Sequence, residues 1–248
     1  MVSEKNRPLD IYLITTARLA GSASLLLFGL FLLFGAWSVI ELHLSRANAL
    51  LWNAALSFLF FIQHSGMVRR GLSTRLSAIV PGHYHRTLYT IVSGAVLTGV
   101  VVFWQPSPAR LLELHGVLRW VARCIFLLGL AGFAWGTRSL PSFDAFGKSD
   151  IMTHRSGQEP APQPFSITGP YRWIRHPLYF FSLLLIWSSP DVTADRLLFN
   201  VLWSTWICVG AFLEERDLAA AFGDRYRSYQ HAVPMLIPWK GPVDIKAL

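Results

Sequence analysis

"RHPLYFFSLLLIWSSPDVTADRLLFNVLWSTWICVGAFLEERD", residues 175–217, holds two apolar runs, Leu178–Trp187 and Leu197–Leu213. Between them "SSPDVTADR" is polar and turn-prone. The pair predicts a helical hairpin whose first arm is short. Pro177 suits a first helical turn, where its missing N–H costs nothing. His176 is then the cap residue, with Arg175 and Arg172 just before it. A helix N-terminus favours anions and a C-terminus favours cations, yet the first arm starts beside Arg172, Arg175 and His176, and the second ends on Glu214 and Glu215. Antiparallel arms bring these mismatched ends to one face. They can form a salt bridge that closes the hairpin. They can also bind a zwitterion, with the helix start and Arg taking a carboxylate and the glutamates an ammonium. The residues alone leave both readings open.

The rest of the chain sets the medium. Of 248 residues, 53% are hydrophobic and 15% charged, against about 25% charged in soluble domains. Four further apolar runs precede the hairpin: Ala17–Ile40, Ala49–Ile62, Tyr84–Trp104 and Val117–Trp135. A spanning helix needs about 20 apolar residues. The expected fold is an all-α integral membrane protein of five to six transmembrane helices, five if the short arm does not cross. Ten Trp residues suit bilayer interfaces. A net charge of +8 would suggest nucleic acid in a soluble protein. Here the basic residues lie between apolar runs and are read as topology and lipid-headgroup signals.

Lys5 and Arg7, then Arg69, Arg70 and Arg75, then Arg138, Lys148, Arg155, Arg172 and Arg175, and a tail with Arg216, Arg225, Arg227, Lys240 and Lys246 mark one side. The intervening loops carry Arg46, Arg110 and Arg196. Both termini are therefore expected in the cytoplasm. The first apolar run is too long for a signal peptide. Cys124 and Cys208 fall inside apolar runs without CxxC spacing, and no Cys, His or acidic cluster has metal-ligand spacing.

Two regions are expected: a four-helix membrane region, 1–138, and a unit of 139–248 with a cytoplasmic loop, the hairpin and a tail. After the hairpin, Leu218, Phe222, Tyr226 and Tyr229 form one apolar stripe opposite Asp217, Asp224, Arg225 and Arg227. That pattern suits an amphipathic helix on the headgroups. The apolar segment Pro234–Trp239 can fold back over the hairpin opening.

"GPYRWIRHPLY" followed after one hairpin by "EERDLAAAFGDRYRSYQHAVPMLIP" resembles the C-terminal half of the isoprenylcysteine carboxyl methyltransferase superfamily. "QPFSITGPYRWIRHPLY", "WSSPDVTADRLLF", "FIQHSGMVRR", "PGHYHRTLY" and "SFDAFG" are similar to the bacterial methanethiol S-methyltransferases. The upstream half also resembles NnrU-like membrane proteins. The resemblance implies methyl transfer from S-adenosylmethionine to a small thiol in a bacterial inner membrane, giving dimethyl sulfide. It places the cofactor on Tyr171, Arg175, His176, Pro177, Tyr179, Glu214, Glu215 and Leu236. Two positions depart from the pattern: Phe180 and Phe181 stand where a Gly often follows "RHPLY", and Ser142 where a His often precedes "FD".

Thiolates are far better nucleophiles than thiols, so a base or a cationic environment is expected. His64, Asp144 and Arg175 are the catalytic candidates, with His83, His85 and His176 also on the same side. His64 also suits an interfacial cap and Asp144 a turn. Alternative functions are methylation of a prenylated or lipid-like acceptor, a membrane reductase using a nicotinamide cofactor, and a non-catalytic NnrU-like role. Beyond the thiol, membrane lipids are the expected partners. Nucleic acid is not expected, and no obligate protein partner is evident.

Overall fold

The computed structural model describes residues 7–69, 77–140, 143–158 and 165–244. Arg70, Arg75, Ser142, Lys5 and Lys246 lie outside them. Eight α-helices occur among the described residues: α1 (Arg7–Phe34), α2 (Arg46–Val68), α3 (His85–Phe103), α4 (Gly116–Arg138), α5 (Lys148–Arg155), α6 (Pro177–Trp187), α7 (Ala194–Phe222) and α8 (Asp224–Ala232). Two short strands, β1 (Arg110–Glu113) and β2 (Asp191–Thr193), pair antiparallel.

Among the described residues, four helical segments are long and apolar enough to cross a membrane: Pro8–Phe34, Gly82–Phe103, Gly116–Arg138 and Ala194–Phe222. The protein is an all-helical integral membrane protein. α2 has 23 residues but carries Asn48, Asn53, Gln63 and His64 along its length, and it is not among the four. α6 has 11 residues, or about 16 Å of helix against a hydrocarbon core of about 30 Å.

Two boundaries differ from the hydropathy reading. α1 begins at Arg7 rather than Ala17 and stops at Phe34, because Gly35 adopts φ +90° and turns the chain out. α7 runs nine residues past Leu213 to Phe222. Glu214 and Glu215 therefore sit within a continuous helix, and Gly223, at φ +58°, makes the break before α8.

The chain divides into two compact units, Met1–Ser107 with Asp144–Pro162, and Pro108–Phe143 with Gln163–Leu248. α4 lies in the unit that holds the hairpin, and α5 in the unit of the first three helices. In the first unit, α1 and α2 pack on α3. Asn53, buried in α2, gives its Nδ2–H to the Gln105 carbonyl (2.7 Å) and takes the Gln105 N–H on Oδ1 (2.9 Å). A polar residue in an apolar helix is thereby satisfied by the chain leaving α3. The Tyr84 hydroxyl donates to Asp10 at 2.7 Å. α5 is tied to α3 by Thr90 Oγ1 donating to the Ala145 carbonyl (2.8 Å) and by an Arg86–Asp150 pair (3.4 Å).

In the second unit α4 lies against α6. Gly129, Gly132 and Gly136 line the contact. A Cβ at Gly129 would stand 2.9 Å from Leu185 Cδ2, one at Gly136 2.6 Å from Leu178 Cδ2, and one at Gly132 inside the Phe181 ring. The departure at Phe181 is thus explained by packing, since the ring fills the groove that Gly132 leaves. At the hairpin turn, β2 pairs with β1, and Arg119 grips Asp191 with two hydrogen bonds of 2.9 and 2.6 Å. The turn reading of "SSPDVTADR" missed this pairing, which depends on a partner far away in the chain (Arg110↔Thr193, 83 residues apart, is one pair).

Candidate functional site

The mismatched charges of the hairpin meet in the second unit. Arg175 lies just before α6, and Glu215 lies on α7; both side chains are 9% exposed. Arg175 donates from Nε to Glu215 Oε1 (2.8 Å) and from Nη2 to Oε2 (2.9 Å), a bidentate pair. Its Nη1 donates to the carbonyls of Gln230 (2.8 Å) and Val233. Those carbonyls end α8, where a cation is favoured. The cation that α6 does not want therefore serves as the C-terminal cap of α8. Glu215, two turns inside α7, bonds the side chains of Arg175 and His176 just before α6.

Glu215 accepts three further hydrogen bonds: from His176 Nε2 (2.7 Å), Tyr226 Oη (2.8 Å) and Gln230 Nε2 (2.5 Å). That fills or exceeds the four lone-pair sites of a carboxylate. Burial first, and then the hydrogen bond to Glu215 and its charge, push the Tyr226 phenol well up, so it remains a donor. The main chain adds to the lock. The N–H groups of Arg175 and His176 donate to Pro234 (2.9 Å) and Met235 (3.1 Å). Arg172 and Val243 bond twice, from Nε and through the main chain, each at 2.9 Å. The tail thus does fold back across the start of α6, with the partly buried Leu236 next to Met235.

Beside this saturated clasp is a less committed group. Glu214 is one residue from Glu215, about 100° around the helix, and its side chain is 46% exposed. It stands 3.6 Å from His176 Nδ1. Burial, followed by the Glu214 charge, pushes the Tyr171 phenol up. Tyr179 stacks on the His176 ring at 5.4 Å and 9°. α6 has Pro177 in its first turn and no side-chain cap.

Tyr171, Arg175, His176, Pro177, Tyr179, Glu214, Glu215 and Leu236 are thus all carried by the second unit. Asp144 and His64 belong to the first. Asp144 accepts from Phe146 N (3.0 Å), Ser149 N (2.6 Å) and Ser149 Oγ (2.7 Å), closing the turn into α5. Burial raises its pKa, but these donors outweigh burial and hold it below the usual carboxylate value. His64 meets the Tyr89 hydroxyl at 2.7 Å from Nε2 and 3.0 Å from Nδ1. Sequence reasoning missed Gln230 as a partner of Glu215. Its only local signal was its position one turn beyond Tyr226 on α8.

The fold and this cluster define the class: a helical membrane protein whose C-terminal tail is clasped to a helical hairpin by a buried Arg–Glu pair. The chain is 33% identical over 202 residues to methanethiol S-methyltransferase 1 of Bradyrhizobium diazoefficiens, covering 80% of this chain and 70% of that one. It is 32% identical over 193 residues to the methanethiol S-methyltransferase of Mycobacterium tuberculosis, covering 77% and 79%. It is 26% identical over 188 residues to Nurim of Rattus norvegicus, covering 68% of each. The chain belongs to the methanethiol S-methyltransferase family, as its motifs suggested. No family model and no solved structure matches it.

Proposed function

We propose that this chain is an S-adenosylmethionine-dependent methyltransferase that acts on the sulfur of a small thiol such as methanethiol, giving dimethyl sulfide. The observation that carries this reading is the 33% identity, over 80% of the chain, to a protein named for that activity. The residues present fit the amino-acid end of the cofactor. Glu214 offers a half-exposed carboxylate for the ammonium, and the uncapped start of α6 offers a carboxylate site. When bound, the cofactor supplies a methyl group on a sulfonium. Arg175 and Glu215 hold α6, α7 and the tail in position, so their role is positioning. His64 accepts the thiol proton, and Asp144 fixes the turn into α5. The basic residues place both termini in the cytoplasm of a bacterial cell, with the helices in the inner membrane.

The test uses purified protein in detergent. S-adenosylhomocysteine at about 100 times its dissociation constant should add about 2.7 kcal/mol of stability, and S-adenosylmethionine with methanethiol should yield dimethyl sulfide in the headspace. Glu214→Gln should keep the unliganded melting temperature and lose the S-adenosylhomocysteine shift. A thermal shift with NADPH and none with S-adenosylhomocysteine would replace this reading with the reductase.

A further inference from the structure

In the first unit, α2 carries Phe60, Gln63, His64 and Met67 at spacings of three and four, so they share one face. α3 presents Tyr89 and Ser93, one turn apart. Gln63 Nε2 donates to Ser93 Oγ and to Met67 Sδ, each at 3.1 Å. A thioether is only an acceptor, which fixes the amide so that Oε1 points the other way. That oxygen is buried and has no hydrogen-bond partner. The Tyr89 hydroxyl bonds the His64 ring, and the Phe60 ring lies 5.1 Å from that ring by centroids. Buried acceptors are costly to leave unmatched, and polar groups inside an apolar helix pair are functional candidates.

We propose that this cluster is the seat of the thiol substrate. It rests on the thiol-methylation reading above and supplies what that reading lacks, a binding site for the acceptor. The open Oε1 of Gln63 matches one weak donor, an S–H. Met67 and Phe60 offer soft, apolar contact for a sulfur and a short alkyl group. The His64–Tyr89 pair receives the proton. The step that this seat carries balances by itself: the S–H proton passes to the His64 imidazole, leaving a thiolate beside an imidazolium. A charged or strongly polar acceptor finds one unmatched atom here and no ion to pair with among these residues. The seat therefore selects small neutral thiols.

Binding is tested without cofactor by saturation-transfer NMR on the methyl resonance of ethanethiol, with protein in detergent. Wild type should transfer saturation. Met67→Trp, which fills the seat, should abolish the transfer while the S-adenosylhomocysteine thermal shift persists. In steady state, Gln63→Leu should raise the KM for methanethiol by about fivefold, the scale of one weak hydrogen bond, with kcat within about twofold. Met67→Ala should shift preference toward propanethiol. Equal ethanethiol signal in wild type and Met67→Trp overturns the proposal, as does an unchanged KM in Gln63→Leu in an active enzyme. In both cases methylation of thiols by the wild type would still stand. If wild type binds ethanethiol at this seat but methylates no thiol, the function reading fails and the seat survives.

Discussion

In the second unit the Glu215 carboxylate takes hydrogen bonds from four residues, Arg175, His176, Tyr226 and Gln230; in the first, the Gln63 amide oxygen is buried and takes none. Both groups lie on largely apolar helices. The contrast separates two uses of a buried polar group. A saturated one fixes the backbone around it and has no capacity left for a ligand. An open one carries a cost that a ligand can remove. The residues that stand out in the sequence, Arg175 and Glu215, are of the first kind, and the quieter Gln63 and Glu214 are the ones with capacity to spare.

The largest expected effect breaks the saturated side. Glu215→Ala leaves Arg175 buried without its carboxylate and should destabilise the protein by about 3–5 kcal/mol, measured by thermal unfolding in detergent. Arg175→Met with Glu215→Leu should recover part of that loss, since an apolar pair can replace a buried ion pair. If Glu215→Ala unfolds at the wild-type temperature, the clasp is not what holds the tail.

A second change asks whether helix packing contributes comparably in the same unit. Gly132→Ala puts a Cβ into the Phe181 ring and should cost about 1–3 kcal/mol. Phe181→Leu in the same chain should relieve it. An additive loss in the double variant would show that the two positions do not touch.

The smallest effect concerns pH in the first unit. Asp144 has a lowered pKa in the folded protein, so its contribution to stability is present above its unfolded pKa of about 4. It is lost as pH falls through the lower folded value. The melting-temperature gap between wild type and Asp144→Ala should therefore be constant near neutrality and narrow in acid. A gap that widens in acid would mean that the turn is held by something other than the ionised carboxylate.

The sequence left the charges at "RHP" and "EERD" with two readings; the structure shows the salt bridge, at Arg175 and Glu215, and the ammonium contact is proposed for Glu214. Adjacent glutamates differ by about 100° on a helix, which turns Glu215 inward to Arg175 and Glu214 outward, half exposed. Nothing local distinguishes them, because the choice depends on where α8 and its Gln230 return. His64 and Asp144 were legible as candidates by residue type. Their surroundings were not, because Tyr89 and Ser149 reach them only through the packing of α3 and the turn into α5.

The sequence by itself determined the medium and the elements. Apolar runs near the length of a bilayer specify helices wherever water is excluded, since the backbone must satisfy its own hydrogen bonds. Pro177 set the start of α6, and Gly223, at positive φ, allowed the break between α7 and α8. Tertiary structure alone decided how these parts are joined. The strand pair at the hairpin turn, the lodging of Phe181 against Gly132, the capping of α8 by Arg175 and the open oxygen of Gln63 each depend on residues distant in the chain. Periodicity reports which face of a helix is apolar, but a hydrogen bond forms or fails only when a particular neighbour arrives within about 3 Å.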